Sequence, residues 1–190
     1  MCRNSNYTAF YVAEPFSTSQ LGAYATKDFC YYSMLKAWKG SDALFPFNDA
    51  HAKTYSVRDG SDWETTLKPR LRKRLSVSKN IILFLSSSTK RSKALTEEIA
   101  YGACTLGLPI IIVYPELDNN DIVKNNSLSL KVKLLWDKLP VLKKAIENVP
   151  TLHIPMKKEY LQRALSVSKL TIQGKIVNDQ SQYFIKNETN

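Results

Sequence analysis

The sequence predicts an α/β fold, a doubly wound parallel sheet of about five strands. Three observations predict it: two unbroken apolar runs, amphipathic stretches between them, and the regular alternation of the two. Asn80 to Leu85 and Pro109 to Tyr114 are the apolar runs. Continuous apolar character is expected of strands whose two faces are both covered. Helices crossing between such strands imply a parallel sheet.

The elements follow in order. Tyr7 to Ala13 reads as the first strand, with a loop through Glu14, Pro15 and Phe16 to about Tyr24. A helix fits Lys27 to Trp38, because Phe29, Tyr32, Leu35 and Trp38 share one stripe, and Gly40 is a suitable stop. Ala43 to Asn48 reads as a second strand, with Pro46 favouring an edge. Ser61 and Glu64 have capping-box spacing ahead of the stripe Leu67, Leu71, Leu75. Pro69 then requires either a kink or a start near Thr66. Leu95, Ile99, Gly102, Ala103 and Leu106 mark the next helix. Asn119 to Ser129 reads as a polar loop, Thr151 to Ile154 as the last strand and Met156 to Val167 as a closing helix. Residues 1–170 are expected to form one domain, and 171–190 a C-terminal extension, as a strand pair or a loose tail.

Composition narrows the classes. The chain has 190 residues, 44% hydrophobic and 23% charged, enough to bury a core and too apolar for disorder. No apolar run reaches the roughly 18 residues of a membrane span, and Met1 to Asn6 carries no signal-peptide core. Cys2, Cys30 and Cys104 lack CxxC spacing, and His51 and His153 are the only histidines, so neither a disulfide framework nor a metal site is expected. The expected location is the cytoplasm, with no membrane association. Net charge is +10, and Lys68 to Lys93 holds nine basic residues without an acidic one. Such a stretch attracts polyanions, although a solvated helix face is the simpler reading.

In a parallel α/β sheet, ligands bind beyond the carboxyl ends of the strands. That rule selects Glu14 to Phe16, Asn48 to His51, and Ser86 to Ser88 with the helix that follows. At about 100° per residue Glu98 falls at the margin of its helix's apolar stripe, half buried, while Glu97 points away. Position alone fits equally a ligand-facing acid and an acid that complements the helix dipole. His51 lies beside Asp49 after a strand end. Arg58 and Asp59 could hold a phosphate or pair with neighbours, and the serines offer hydroxyls and N–H groups where a helix begins. His153 has no obvious partner and is read as structural. GxGxxG, Walker and GxSxG loops are all missing.

The stretches Tyr31 to Trp38, Phe47 to His51 and Arg58-Asp59 stand in order, followed by Leu67-Lys68, Leu71, Arg74-Leu75, Ser78 to Asn80, Glu98-Ile99 and Pro109 to Ile111. This series resembles the Toll/interleukin-receptor-like (TIR-like) proteins of the bacterial Thoeris antiphage system, over roughly residues 7–116. The resemblance implies a flavodoxin-like TIR fold and cleavage of NAD at the nicotinamide–ribose bond by the catalytic glutamate, here Glu98. It implies an ADP-ribose-derived, often cyclised signal that activates a separate Thoeris effector protein. NAD is then a substrate rather than a cofactor. A phage-derived trigger and a homo-oligomer are compatible with it. By the same resemblance Asp49, His51 and Arg58 line the pocket or order its covering loop, Ser86 and Ser87 face ribose or phosphates, and Phe16 stacks on a ring. Leu95-Thr96-Glu97 stands where related proteins usually carry an aromatic residue just before the glutamate. Other readings remain: a non-catalytic TIR scaffold, a nucleic-acid binder using Lys68 to Lys93, and a nucleoside deoxyribosyl transferase.

Overall fold

A computed structural model describes residues 3–12, 27–52, 62–170 and 182–184. Its centre is a five-stranded parallel sheet in the order β1-β2-β3-β6-β7. The strands are β1 (Ser5–Ala9), β2 (Ser78–Phe84), β3 (Ile110–Tyr114), β6 (Thr151–Pro155) and β7 (Gln182–Phe184). The helices are α1 (Lys27–Ser41), α2 (Lys68–Ser76), α3 (Lys93–Ile99), α4 (Asn119–Ile122), α5 (Leu130–Trp136), α6 (Pro140–Ala145) and α7 (Lys158–Ser166). A short hairpin, β4 (Val123–Lys124) with β5 (Ser127–Leu128), lies outside the main sheet.

Side chains alternate between the two faces of the sheet. Ile81, Leu83, Ile110 and Ile112 pack with Leu71 and Leu75 of α2, Leu95 and Ile99 of α3, and Trp136 and Leu142 of α5 and α6. Ile82, Phe84, Ile111 and Val113 pack on the other face with Tyr32 and Leu35 of α1 and Leu161 and Ala164 of α7. Every side chain from Ile81 to Leu85 is fully buried, each contributing about 1.5–3 kcal/mol of apolar transfer. The fold is flavodoxin-like, doubly wound as the two apolar runs require.

The expected second strand is not formed. Phe45 and Phe47 are buried between α1 and the sheet, but the backbone meets β1 only at one parallel bridge, Asn6 with Asp49. Asn6 donates its N–H to Asn48 O at 2.7 Å, and Ala50 N–H donates to Asn6 O at 3.1 Å. Pro46 has no N–H to extend the ladder. Counting that bridge, the order is 2-1-3-4-5-6: the flavodoxin-like 2-1-3-4-5 order with its second strand shrunk to one residue pair and β7 added at the far edge.

Other boundaries move for local reasons. β1 begins at Ser5 and ends at Ala9. Helix α1 runs through Gly40 to Ser41; Gly40 does not take the left-handed backbone of a helix-ending glycine, so it does not stop it. Asp62, not Ser61, caps the next segment, accepting from Thr65 N–H at 2.8 Å. Ser61 itself lies outside the described residues. A π-helical turn, Trp63–Leu67, leads into α2, leaving Pro69 in the first turn where its missing N–H costs nothing. The expected polar loop contains α4 and the hairpin, whose turn residues Asn125 and Asn126 have φ of 50° and 58°. Asparagine tolerates that region, which a two-residue hairpin turn needs. Helix α3 continues as a π-helical stretch, Ala100–Thr105, and Gly107 at φ 66° ends it. Of the C-terminal segment, β7 joins the sheet beside β6. Among the described residues no helix is long and apolar enough to cross a membrane.

Candidate active site around Glu98

Glu98 sits on α3 between the fully buried Leu95 and Ile99. The residue as a whole is half-buried, but its carboxyl end is withdrawn from solvent against β1. Tyr7 Oη donates to Glu98 Oε1 at 2.8 Å. The other oxygen, Oε2, is buried and has no hydrogen-bond partner among the described residues. Burial raises the pKa from 4.5 to about 8, while the Tyr7 hydrogen bond and the positive field of Arg74 pull it partly back. Glu97, one residue earlier, turns to α2 and pairs with Arg72 at 2.6 Å.

Tyr7 is almost fully buried, and its ring is 4.7 Å from that of His51, tilted by 56°. His51 lies just past the bridge at Asp49. Its Nε2 is 3.0 Å from Thr8 O, and its N–H donates to Asp49 Oδ1 at 2.9 Å. Asp49 Oδ2 accepts from Tyr32 Oη at 2.6 Å. Burial lowers the His51 pKa to about 4, partly opposed by Asp49 and assisted by Arg74 and Lys36. The imidazole is therefore neutral at physiological pH. The group Glu98–Tyr7–His51–Asp49–Tyr32 forms a continuous arrangement around the β1 edge. It joins two residues singled out from the sequence, Asp49 and His51, to a third, Glu98.

Ser86 and Ser87 belong to a different part of the sheet edge. Ser86 is buried, and its Oγ donates to Asp28 Oδ1 at 2.7 Å. Thr89 Oγ1 donates to Asp28 Oδ2 at 3.0 Å. Ser87 gives its N–H and its hydroxyl to the two oxygens of Glu116, at 2.8 and 2.7 Å. Both serines thus already have carboxylate partners. Phe16 and Arg58 lie outside the described residues. His153 has partners after all: its Nδ1 is 2.9 Å from Tyr114 Oη, which also accepts from Trp136 Nε1 at 3.0 Å.

A cleft of about 450 Å³ opens between the start of α2 and the start of α3, on the Glu97 side of the helix. Its lining includes Trp63, Lys68, Arg91, Lys93 and Glu97, with Glu97 rather than Glu98 at its wall. Lys93 Nζ stands 5.1 Å from the centre of the Trp63 ring.

The reading of the sequence missed Tyr7, Tyr32 and Arg74 as companions of the site, and Asp28 and Glu116 as anchors of the serine loop. Asp28 had a signal, an acid in the first turn of α1. Tyr7 had only its place in a strand.

Chemically, the site presents one desolvated carboxyl group with one oxygen held and one unsatisfied. Such a group can accept a hydroxyl hydrogen bond or face developing positive charge. The family model described as Thoeris protein ThsB, TIR-like domain, matches residues 7–120. The match begins at Tyr7 and takes in Asp49, His51, Glu98 and the strands that carry them, and it spans more than half of the chain. A doubly wound parallel sheet and a family match of this extent lead to one conclusion: the chain belongs to the TIR-like ThsB family of Thoeris defence proteins.

Proposed function

We propose that this protein cleaves NAD between nicotinamide and ribose and releases an ADP-ribose-derived, cyclised signal that activates a Thoeris effector protein. The observation that carries this reading is Glu98 Oε2, buried and without a partner among the described residues, beside an oxygen held by Tyr7. An orphaned buried acceptor is costly, and a ribose hydroxyl satisfies it. Breaking the N-glycosidic bond develops oxocarbenium character on the sugar, which a close carboxylate stabilises. Nicotinamide departs as a neutral base from a cationic ring, so no general acid is required. In the free protein the Glu98 proton is held until about pH 8. The positive charge of the ribosylated nicotinamide favours the ionised form once substrate enters.

The test is product analysis by mass spectrometry after incubation with NAD, with and without lysate from phage-infected cells. The wild type is expected to consume NAD, and Glu98→Gln to lose about 100-fold or more of that rate. Equal consumption by the two proteins removes Glu98 from catalysis.

The position of Glu97 rather than Glu98 at the cleft wall favours a second reading, a TIR scaffold that recruits a partner. Defence retained by a Glu98→Ala strain supports the scaffold against the enzyme.

A further inference from the structure

We propose that Tyr7 is the positioning residue of Glu98: it fixes Oε1 and thereby leaves Oε2 as the oxygen that meets the substrate. This inference rests on the reading of Glu98 as the catalytic carboxylate, and its test separates the two.

Three observations carry it. The Tyr7 hydroxyl is 2.8 Å from Oε1, and the tyrosine is about 1% exposed, so water does not compete for the bond. A tyrosine hydroxyl has one proton to donate. Given to Oε1, it leaves nothing for Oε2, which stays buried and without a partner among the described residues. The ring is itself held in place. His51 packs on it at 4.7 Å, and His51 is anchored at Thr8 O through Nε2 and at Asp49 Oδ1 through its N–H. Tyr32 of α1 then holds the other oxygen of Asp49. The edge of β1, the bridge segment and α1 therefore converge on the orientation of one phenol. Asp49 and His51 act on catalysis through Tyr7, without touching substrate.

The alternative is that Tyr7 only fills the core. Its ring belongs to the cluster with Leu71, Leu75 and Ile81, which a phenylalanine would fill as well. Tyr7→Phe separates the two roles, because it deletes the hydroxyl and keeps the ring against His51.

Among the described residues, the groups acting on the Glu98 carboxyl are Tyr7 from β1 and Arg74 from α2. Those acting on Tyr7 are Glu98 and Arg74. Loss of the hydroxyl removes a hydrogen bond that favours the carboxylate, so the Glu98 titration moves upward. The decisive measurement is the ¹³C carboxyl titration of glutamate-labelled protein, with Glu98 assigned by the disappearance of its signal in Glu98→Gln. Its midpoint is expected to rise in Tyr7→Phe. In NAD cleavage kcat is expected to fall about tenfold or more with KM nearly unchanged, and the acid limb of the pH–rate profile to move in the same direction. An unchanged midpoint overturns the proposal whether or not NAD is cleaved. So does a wild-type kcat and pH profile in Tyr7→Phe where Glu98→Gln is inactive. Equal NAD consumption by wild type and Glu98→Gln, with a raised midpoint in Tyr7→Phe, instead overturns the catalytic reading and leaves the contact standing.

Discussion

At the scale of single residues, Glu98 is an acid kept where the fold would be better off without its charge. Its pKa in the folded protein, about 8, lies above the ordinary 4.5. Between those values the native state holds a proton that the unfolded chain has lost, so stability falls as pH rises through the window. Glutamine keeps an oxygen for the Tyr7 hydroxyl and never ionises. Glu98→Gln is therefore expected to be more stable than wild type at pH 8 by about 2–4 kcal/mol, with the gain vanishing near pH 4. Urea denaturation at the two pH values measures it, and equal stability at pH 8 contradicts the buried, unsatisfied carboxyl. The position of Glu98 was legible because an amphipathic stripe fixes which residues lie at its margin. Its hydrogen bond was not, since Tyr7 and Glu98 are 91 positions apart and no periodicity relates them.

At the scale of elements, the sheet edge is tied together by a carboxylate at the start of α1. Asp28 is fully buried and accepts from Ser86 Oγ and Thr89 Oγ1 in the β2–α3 connection. Burial raises its pKa, and these hydroxyls oppose the rise. Removing such an acceptor leaves buried donors without a partner, which is more expensive than the net worth of the bonds. Asp28→Ala is expected to destabilise the protein by about 3 kcal/mol and to speed hydrogen exchange in α1 and residues 85–92 together, while Asp28→Asn loses less. Exchange raised in only one of the two segments would break the proposed tie. Strands β2 and β3 were readable because both of their faces are covered, which forces unbroken apolar runs. The same cue misled at Ala43 to Asn48. There Phe45 and Phe47 are buried while Leu44 is 88% exposed, an alternation that mimics a strand. The aromatic rings fill space under α1 without a ladder. Helices α5 and α6, of seven and six residues, are too short to establish a period, and α4 with its hairpin hid in a polar stretch because asparagine serves turns and short caps alike.

At the scale of the whole molecule, three buried titratable groups set opposing slopes in stability. His51 and His153 have pKa values lowered by burial from 6.5 to about 4 and about 3. Below pH 6.5 the unfolded chain takes up two protons that the native state refuses, so these groups make stability fall on acidification. Glu98 has the opposite sign, its native state retaining a proton up to about pH 8. At pH 5.5 the unfolded chain carries both imidazole protons and, of these three groups, the native state carries only the Glu98 proton. The difference is one proton, and stability climbs with pH by about 1.4 kcal/mol per unit. Between pH 6.5 and 8 only the Glu98 proton remains, and the slope reverses with similar size. The wild type is therefore expected to be most stable near pH 6.5, a value fixed by the ordinary imidazole pKa. Because Glu98 supplies the whole alkaline decline of this balance, Glu98→Gln should show a plateau above pH 6.5 and a steeper fall below it. Equilibrium unfolding in urea at half-unit steps from pH 5 to 8.5 resolves both limbs. A wild-type curve that rises monotonically to pH 8.5 contradicts the assignment, because it would require a carboxyl already ionised in the folded protein and thus open to water.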